Sequence, residues 1–148
     1  MILNLNNLLA QIQRMIYDPD ALVWSTEQIT DFIRLGLEDL QTISTTKCSL
    51  EGLDDAQTTS LESGMLAYLL RSSIARAYET RLLNRSETFH PDSQNGNSIR
   101  LWLDAEKEQL RQIFEKLRLT FLQHSPDVPY QTWEEAPQAT EFFVEGEA

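Results

Sequence analysis

Between Leu61 and Asn84 two apolar sets overlap along one helical stretch, and few folds accommodate that. Leu66, Leu70, Ile74, Ala77 and Leu82 follow one line at helical spacing, and Leu61, Met65, Tyr68 and Leu69 widen it through the first half. A helix apolar over that much of its circumference has to be covered from more than one side. The rest of the chain is therefore expected to pack around it. Its second half carries Arg71, Arg76, Arg81 and Arg85, with Glu79 the one acid among them. At about 100° per residue, Arg71, Arg81 and Arg85 share one side and Arg76 stands apart. Two readings fit this strip: a solvated face holding local ion pairs, or a subunit interface that meets an acidic neighbour.

Three further helices are expected around it. Leu5, Leu8, Leu9, Ile12, Met15 and Ile16 form a narrow apolar stripe, ended by Tyr17-Asp18-Pro19-Asp20, because proline disfavours helical geometry in the residue before it. Trp24 then precedes Ser25, and Gln28 follows three residues after the serine, the spacing of a capping box. Trp24 is placed to staple onto Ile29. Behind the cap, Ile29, Phe32, Ile33, Leu37 and Leu40 make a buried face with Gly36 inside it. That glycine costs about 1 kcal/mol of helix propensity relative to alanine, so a close approach of another helix is expected there. Residues 44–58 read as a polar turn region, with Thr59 or Ser60 capping the central helix. Residues 86–98 read as a mobile loop. In the last helix Leu103, Leu110 and Leu117 repeat at seven, beside Phe114 and Phe121, as in an antiparallel helix pair or a coiled coil. The predicted architecture is all-α, with helices near 4–16, 25–43, 60–84 and 99–123. Leu70, Ile74, Phe32, Leu37, Leu110 and Phe114 are expected in its core.

Charge separates the chain into two parts. The net charge is −11, and residues 124–148 contribute six acids (Asp127, Glu134, Glu135, Glu141, Glu145, Glu147) with no Lys or Arg. A helical domain over 1–124 is thus expected to carry a distinct tail over 125–148. Pro126, Pro129 and Pro137 preclude a continuous helix there, yet Tyr130, Trp133, Phe142 and Phe143 are large apolar groups. Solvating tails have few aromatics, so these four are candidate partner-binding residues on a strap that orders only within an assembly. Fully extended, the strap reaches on the order of 80 Å, at about 3.3–3.6 Å per residue.

Little in the sequence supports catalysis. His90 and His124 lie far apart, and no His or Cys has metal-ligand spacing. The pairs Asp54-Asp55 and Glu134-Glu135 are adjacent in sequence, so each points two ways. The Glu-x-x-His pattern used by metal sites in four-helix bundles, the phosphate loop and the dinucleotide fingerprint are all missing. The expectation is a non-enzyme without catalytic, cofactor-binding or metal-binding residues. No apolar run approaches a membrane span, and Met1-Ile2-Leu3-Asn4 lacks the pattern of a signal peptide. The single cysteine, Cys48, fits a reducing compartment. An acidic chain without a Lys/Arg patch is a poor holder of DNA, because phosphate neutralisation dominates that affinity.

The run Trp24-Ser25-Thr26-Glu27-Gln28-Ile29-Thr30-Asp31-Phe32-Ile33, opening a second helix that ends near Glu38-Asp39-Leu40, resembles the head–tail connector (adaptor) proteins of tailed bacteriophages. In that family a Trp-Ser/Thr start, an acid in the first turn and an aromatic-plus-Ile stripe recur near the N-terminus. The later order is similar too: an Ala-containing central helix (Leu66-Ala67-Tyr68 to Ala75-Arg76-Ala77-Tyr78), a variable loop, a Lys/Glu-rich last helix and a C-terminal extension. The likeness covers most of 1–123 in organisation and 24–40 in residue detail. It implies a structural virion protein made in the host cytoplasm and located in the neck between head and tail. There a homo-oligomeric ring, usually a dodecamer, sits beneath the portal protein, extends the channel through which genomic DNA passes without sequence-specific binding, and docks the tail or its terminator protein. On that reading Arg71, Arg81 and Arg85 are subunit-interface candidates, and the strap attaches to an adjacent ring, portal in preference to tail. The acidic aromatic tail departs from the minimal helical unit of the family. The rival reading is a small acidic helical regulator or inhibitor that binds one partner protein.

Overall fold

The computed structural model describes residues 4–87 and 94–123; the side chains of residues 85–87, 94–97 and 123 lie outside that description. Among the described residues the fold is a compact all-α arrangement of α1 (Leu5–Met15), α2 (Thr26–Ile43), α3 (Ser63–Glu87) and α4 (Gln94–Gln123). Each early helix begins where a side chain takes up an orphan backbone donor. The Asn4 side chain accepts the Asn7 N–H at 3.0 Å. Ser25 and Gln28 form the anticipated reciprocal box, with Gln28 N–H on the Ser25 hydroxyl at 3.2 Å and Ser25 N–H on the Gln28 amide oxygen at 2.9 Å.

α3 runs antiparallel to both α2 and α4. Trp24 and Gly36 of the α2 segment meet Ala77 and Leu69 of α3 in reversed order. Gly64, Tyr68 and Tyr78 meet Leu117, Phe114 and Trp102 of α4 in the same reversed sense. α1 closes against α2 and α3. The sequence-based centre is thus the structural centre: Ser72, Ser73, Ile74, Ala75 and Ala77 are all buried, so the middle of α3 is covered nearly all round.

The expected buried line on α3 needs correction. Leu66 and Leu70 are only half-buried, whereas Met65, Tyr68 and Leu69 belong to the core. The reason lies at Gly36. A methyl group added there would stand 2.8 Å from both the Leu69 Cδ1 and the Ser72 hydroxyl, so α2 approaches α3 on the side of Leu69 and Ser72. The buried hydroxyls of Ser72 and Ser73 donate to the Leu69 carbonyl at 3.1 and 2.8 Å, which satisfies them inside the core. Phe32, Leu37 and Phe114, like Leu70, pack on the core while partly exposed; Ile74 and Leu110 are buried as expected.

Two boundaries also differ. α3 begins at Ser63, not near 60, because the loop before it uses the anticipated caps: Thr59 accepts the Glu51 N–H, and Ser60 accepts the Ser49 N–H and donates to the Lys47 carbonyl. Residues 94–98, read as loop, open α4. The segment 44–62 is more than a polar turn. Leu50 and Leu53 are buried with Cys48, and Leu5 N–H bonds the Glu51 carbonyl at 2.8 Å. Backbones in the left-handed region at Gly52, Asp54 and Asp55 turn the chain so that these apolar groups face inward.

Candidate functional site

Two hollows flank the α3–α4 pair, and they differ in chemistry. On the α1 side, Met15, Ile74, Tyr78, Ile99 and Trp102 line a mainly apolar groove of about 540 Å³, with Arg71 and Glu106 at its edge. On the α2 side, Asp39, Tyr68, Lys107, Arg111, Leu110 and Phe114 line a smaller polar hollow of about 310 Å³.

The groove is built from the cap of α2 outward. After α1, Asp18 turns its buried carboxylate back on the chain and accepts the N–H groups of Leu22, Val23 and Trp24 at 2.8, 2.9 and 3.0 Å. These bonds, the one from Trp24 foremost, hold its carboxyl below the ordinary value. They also aim Trp24 at α3, where its indole N–H reaches the Ala77 carbonyl at 3.1 Å. From Trp24 an aromatic series leads into the groove: Trp24 meets Tyr78 edge-on at 6.1 Å, and Tyr78 meets Trp102 at 5.0 Å. Arg81 covers the outer end, 5.7 Å above the Trp24 ring. Arg71 stands at the other end and meets Glu106 at 3.2 Å.

In the polar hollow Asp39 is shared. Tyr68 O–H donates to it at 3.2 Å and Arg76 at 2.6 Å. Burial, then the Asp39 charge, pushes the Tyr68 phenol up to about 12. Lys107 bonds Glu79 at 2.7 Å, tying α4 to α3. Further along α4, Arg111 holds Glu108 down to about 2 through paired hydrogen bonds. Such exposed pairs contribute little to stability.

The basic strip of α3 therefore serves local pairs first: Arg71 with Glu106, Arg76 with Asp39, Arg81 with the Trp24 ring. Arg71 still lines the groove and Arg81 stands over the Trp24 ring, while the Arg85 side chain lies outside the described residues. So do Tyr130, Trp133, Phe142 and Phe143, together with His90, His124 and the Glu134-Glu135 pair. Asp54 is engaged by Arg34, whose bidentate hydrogen bond lowers the Asp54 carboxyl while raising the guanidinium. Cys48 is buried beneath the 44–62 segment. Among the described residues no group of three or more His, Cys, Asp or Glu is placed to hold a metal, and no helix is long and apolar enough to cross a membrane.

Sequence reasoning missed Asp18, Trp102 and Met15. The only signal for Asp18 was an acid between a helix end and a proline. Trp102 carried none, because an isolated apolar residue at a helix edge is ordinary; Met15 belongs by its spacing to the apolar stripe of α1, yet its side chain is 49% exposed and lines the groove. No family model, curated protein or solved structure matches the chain.

Proposed function

We infer that this chain is a structural subunit of a tailed-phage neck, a head–tail adaptor that forms a ring beneath the portal. The supporting observation is the pair of unlike faces on α3–α4. A ring needs heterologous contacts, in which one surface of a subunit meets a different surface of the next. The apolar groove beside α1 and the polar Asp39–Tyr68–Lys107 hollow beside α2 are two such surfaces. Leu101 and Trp102 stand exposed next to the groove, and Leu22, 84% exposed, with Val23 directly precedes Trp24. Apolar surface of this kind is normally covered in an assembly.

The capped segment from Trp24 to Leu40, which carries the resemblance to the adaptor family, is anchored to α3 by the Trp24–Ala77 bond and the close approach at Gly36. An acidic wall suits a DNA channel, since attraction to phosphate would brake the moving duplex; the chain's charge of −11 fits that role. The tail, with Trp133 and Phe142 as apolar anchors, attaches the ring to the portal. Many weak straps acting together hold firmly through effective concentration.

Native mass spectrometry of the chain alone and mixed with the portal of its own phage tests this reading. A closed oligomer matching the portal's symmetry, alone or on portal, supports it. A monomer or dimer that ignores portal favours the small acidic regulator instead.

A further inference from the structure

The apolar groove between α1, α3 and α4 has a matching segment elsewhere in the same chain. Its floor is apolar, formed by Met15, Ile74, Tyr78, Ile99 and Trp102, with Arg71 and Glu106 at its edge; Arg81, about one helical turn beyond Tyr78, stands outside this lining, over the Trp24 ring. Ten residues of helix separate those arginines, a rise of roughly 15 Å. Near the C-terminus the sequence reads Glu141-Phe142-Phe143-Val144-Glu145, an apolar triplet with an acid at each end. In extended form the two glutamates stand roughly 13–14 Å apart and share one face with Phe143. The apolar floor suits Phe143, and the spacing of the two arginines along α3 matches that of the two glutamates.

We propose that residues 141–145 of the chain dock into this groove in the free subunit, Phe143 on the Trp102–Tyr78 floor and the two glutamates, which share its face of an extended segment, toward Arg71 and Arg81. Arg71 already meets Glu106 through Nε. A guanidinium carries five N–H donors, so a second carboxylate shares it without displacing the first.

The tether permits docking within one chain. The groove lies about 21–24 residues back along α4 from Gln123, roughly 32–36 Å. Phe142 lies nineteen residues beyond Gln123, a reach of up to about 63–68 Å. A short intramolecular tether supplies an effective concentration near the millimolar range, which a second copy in dilute solution does not match. The free subunit thus gives the tail a seat, contrary to the expectation that it orders only within an assembly. In the ring reading the portal competes for the same segment. The docking itself concerns the subunit without portal, so it stands or falls separately from that reading.

The test uses the full-length chain carrying Phe143→p-benzoylphenylalanine, photolysed at low micromolar concentration without any partner. The expected product has the mass of one chain, with cross-linked peptides joining position 143 to Met15 or to residues 98–106. Met15→Glu, at an exposed position on the groove wall, should abolish the cross-link while far-UV circular dichroism stays unchanged. The double variant Glu141→Lys, Glu145→Lys leaves the helical domain untouched and sets lysines against Arg71 and Arg81; it should abolish the cross-link as well. Cross-links to other surfaces, a product of two chains' mass, no cross-link, or a cross-link that survives the charge reversal would each overturn the proposal.

Discussion

The indole N–H of Trp24 donates to the carbonyl of Ala77, 53 residues away, at 3.1 Å. This bond joins the start of α2 to the middle of α3, and the residue making it is buried. Trp24→Phe keeps a ring but loses the hydrogen bond and part of the filled volume. It should destabilise the fold by about 1–2 kcal/mol, and Trp24→Ala by about 3–5 kcal/mol. Urea unfolding with unchanged slope and a lowered midpoint checks both.

Gly36→Ala sets two effects against each other. The substitution gains about 1 kcal/mol of helix propensity. Its methyl group, however, would stand 2.8 Å from the side-chain ends of both Leu69 and Ser72, which are buried and would have to shift within a filled core. Overpacking of that sort costs typically 1–3 kcal/mol. The net expectation is a loss of up to about 2 kcal/mol, and Gly36→Val should be worse. A stabilised Gly36→Ala protein in thermal unfolding would show that α2 has room to retreat.

Leu69 and Leu70 are neighbours with unequal roles, fully buried and half-buried respectively. Leu69→Ala should cost about 2–5 kcal/mol and Leu70→Ala clearly less. Equal losses in denaturant unfolding would contradict the placement of α2 against the Leu69 side of α3.

That pair also marks how far the sequence alone reaches. Helical periodicity, the Ser25–Gln28 box and Gly36 made the four helices and their central member readable in advance. The side of α3 that faces α2 was not readable, since it depends on Ser72 and Ser73, polar residues that become core only because Leu69 offers them a carbonyl. The apolar contribution of residues 44–58 is hidden for a similar reason. Leu50 and Leu53 sit among turn residues and follow neither helical nor strand period, so only the left-handed turns at Gly52, Asp54 and Asp55 bring them inward. Of the candidate sites, Arg71 and Arg81 were visible as a strip, but the groove beside Arg71 needs Met15 from α1 and Trp102 from α4, which no local pattern brings together.

Acid stability should depend on Asp18. Its folded carboxyl lies below the ordinary 3.8, so the stabilisation is present in full above the unfolded value and is lost as pH falls through the folded one. Asp54 and Glu108 shift in the same direction, so they contribute to the acid limb beside Asp18. Asp18→Asn isolates one share: it should lower the melting temperature at neutral pH and narrow its gap from the parent protein as pH drops below 3.8. A gap that is constant with pH would show that the charge on Asp18 is immaterial.

At the alkaline end the sign reverses. The Tyr68 phenol is raised from 10.0 to about 12, so between those values the unfolded chain loses a proton that the fold retains, and stability falls as pH rises. Tyr68→Phe should remove this part of the decline. Chemical-denaturation midpoints of the two proteins should therefore converge between pH 10 and 12; parallel curves would mean that burial and the Asp39 charge do not hold the phenol neutral.

The ring assignment is tested most directly by electron microscopy of the particle that contains this chain, with symmetry-averaged density at the neck. The expected result is a closed ring directly beneath the portal, in which each subunit's α1–α3–α4 groove face meets a different face of its neighbour. Absence of the chain from the neck, or its presence there as isolated copies without subunit contacts, would contradict the adaptor function.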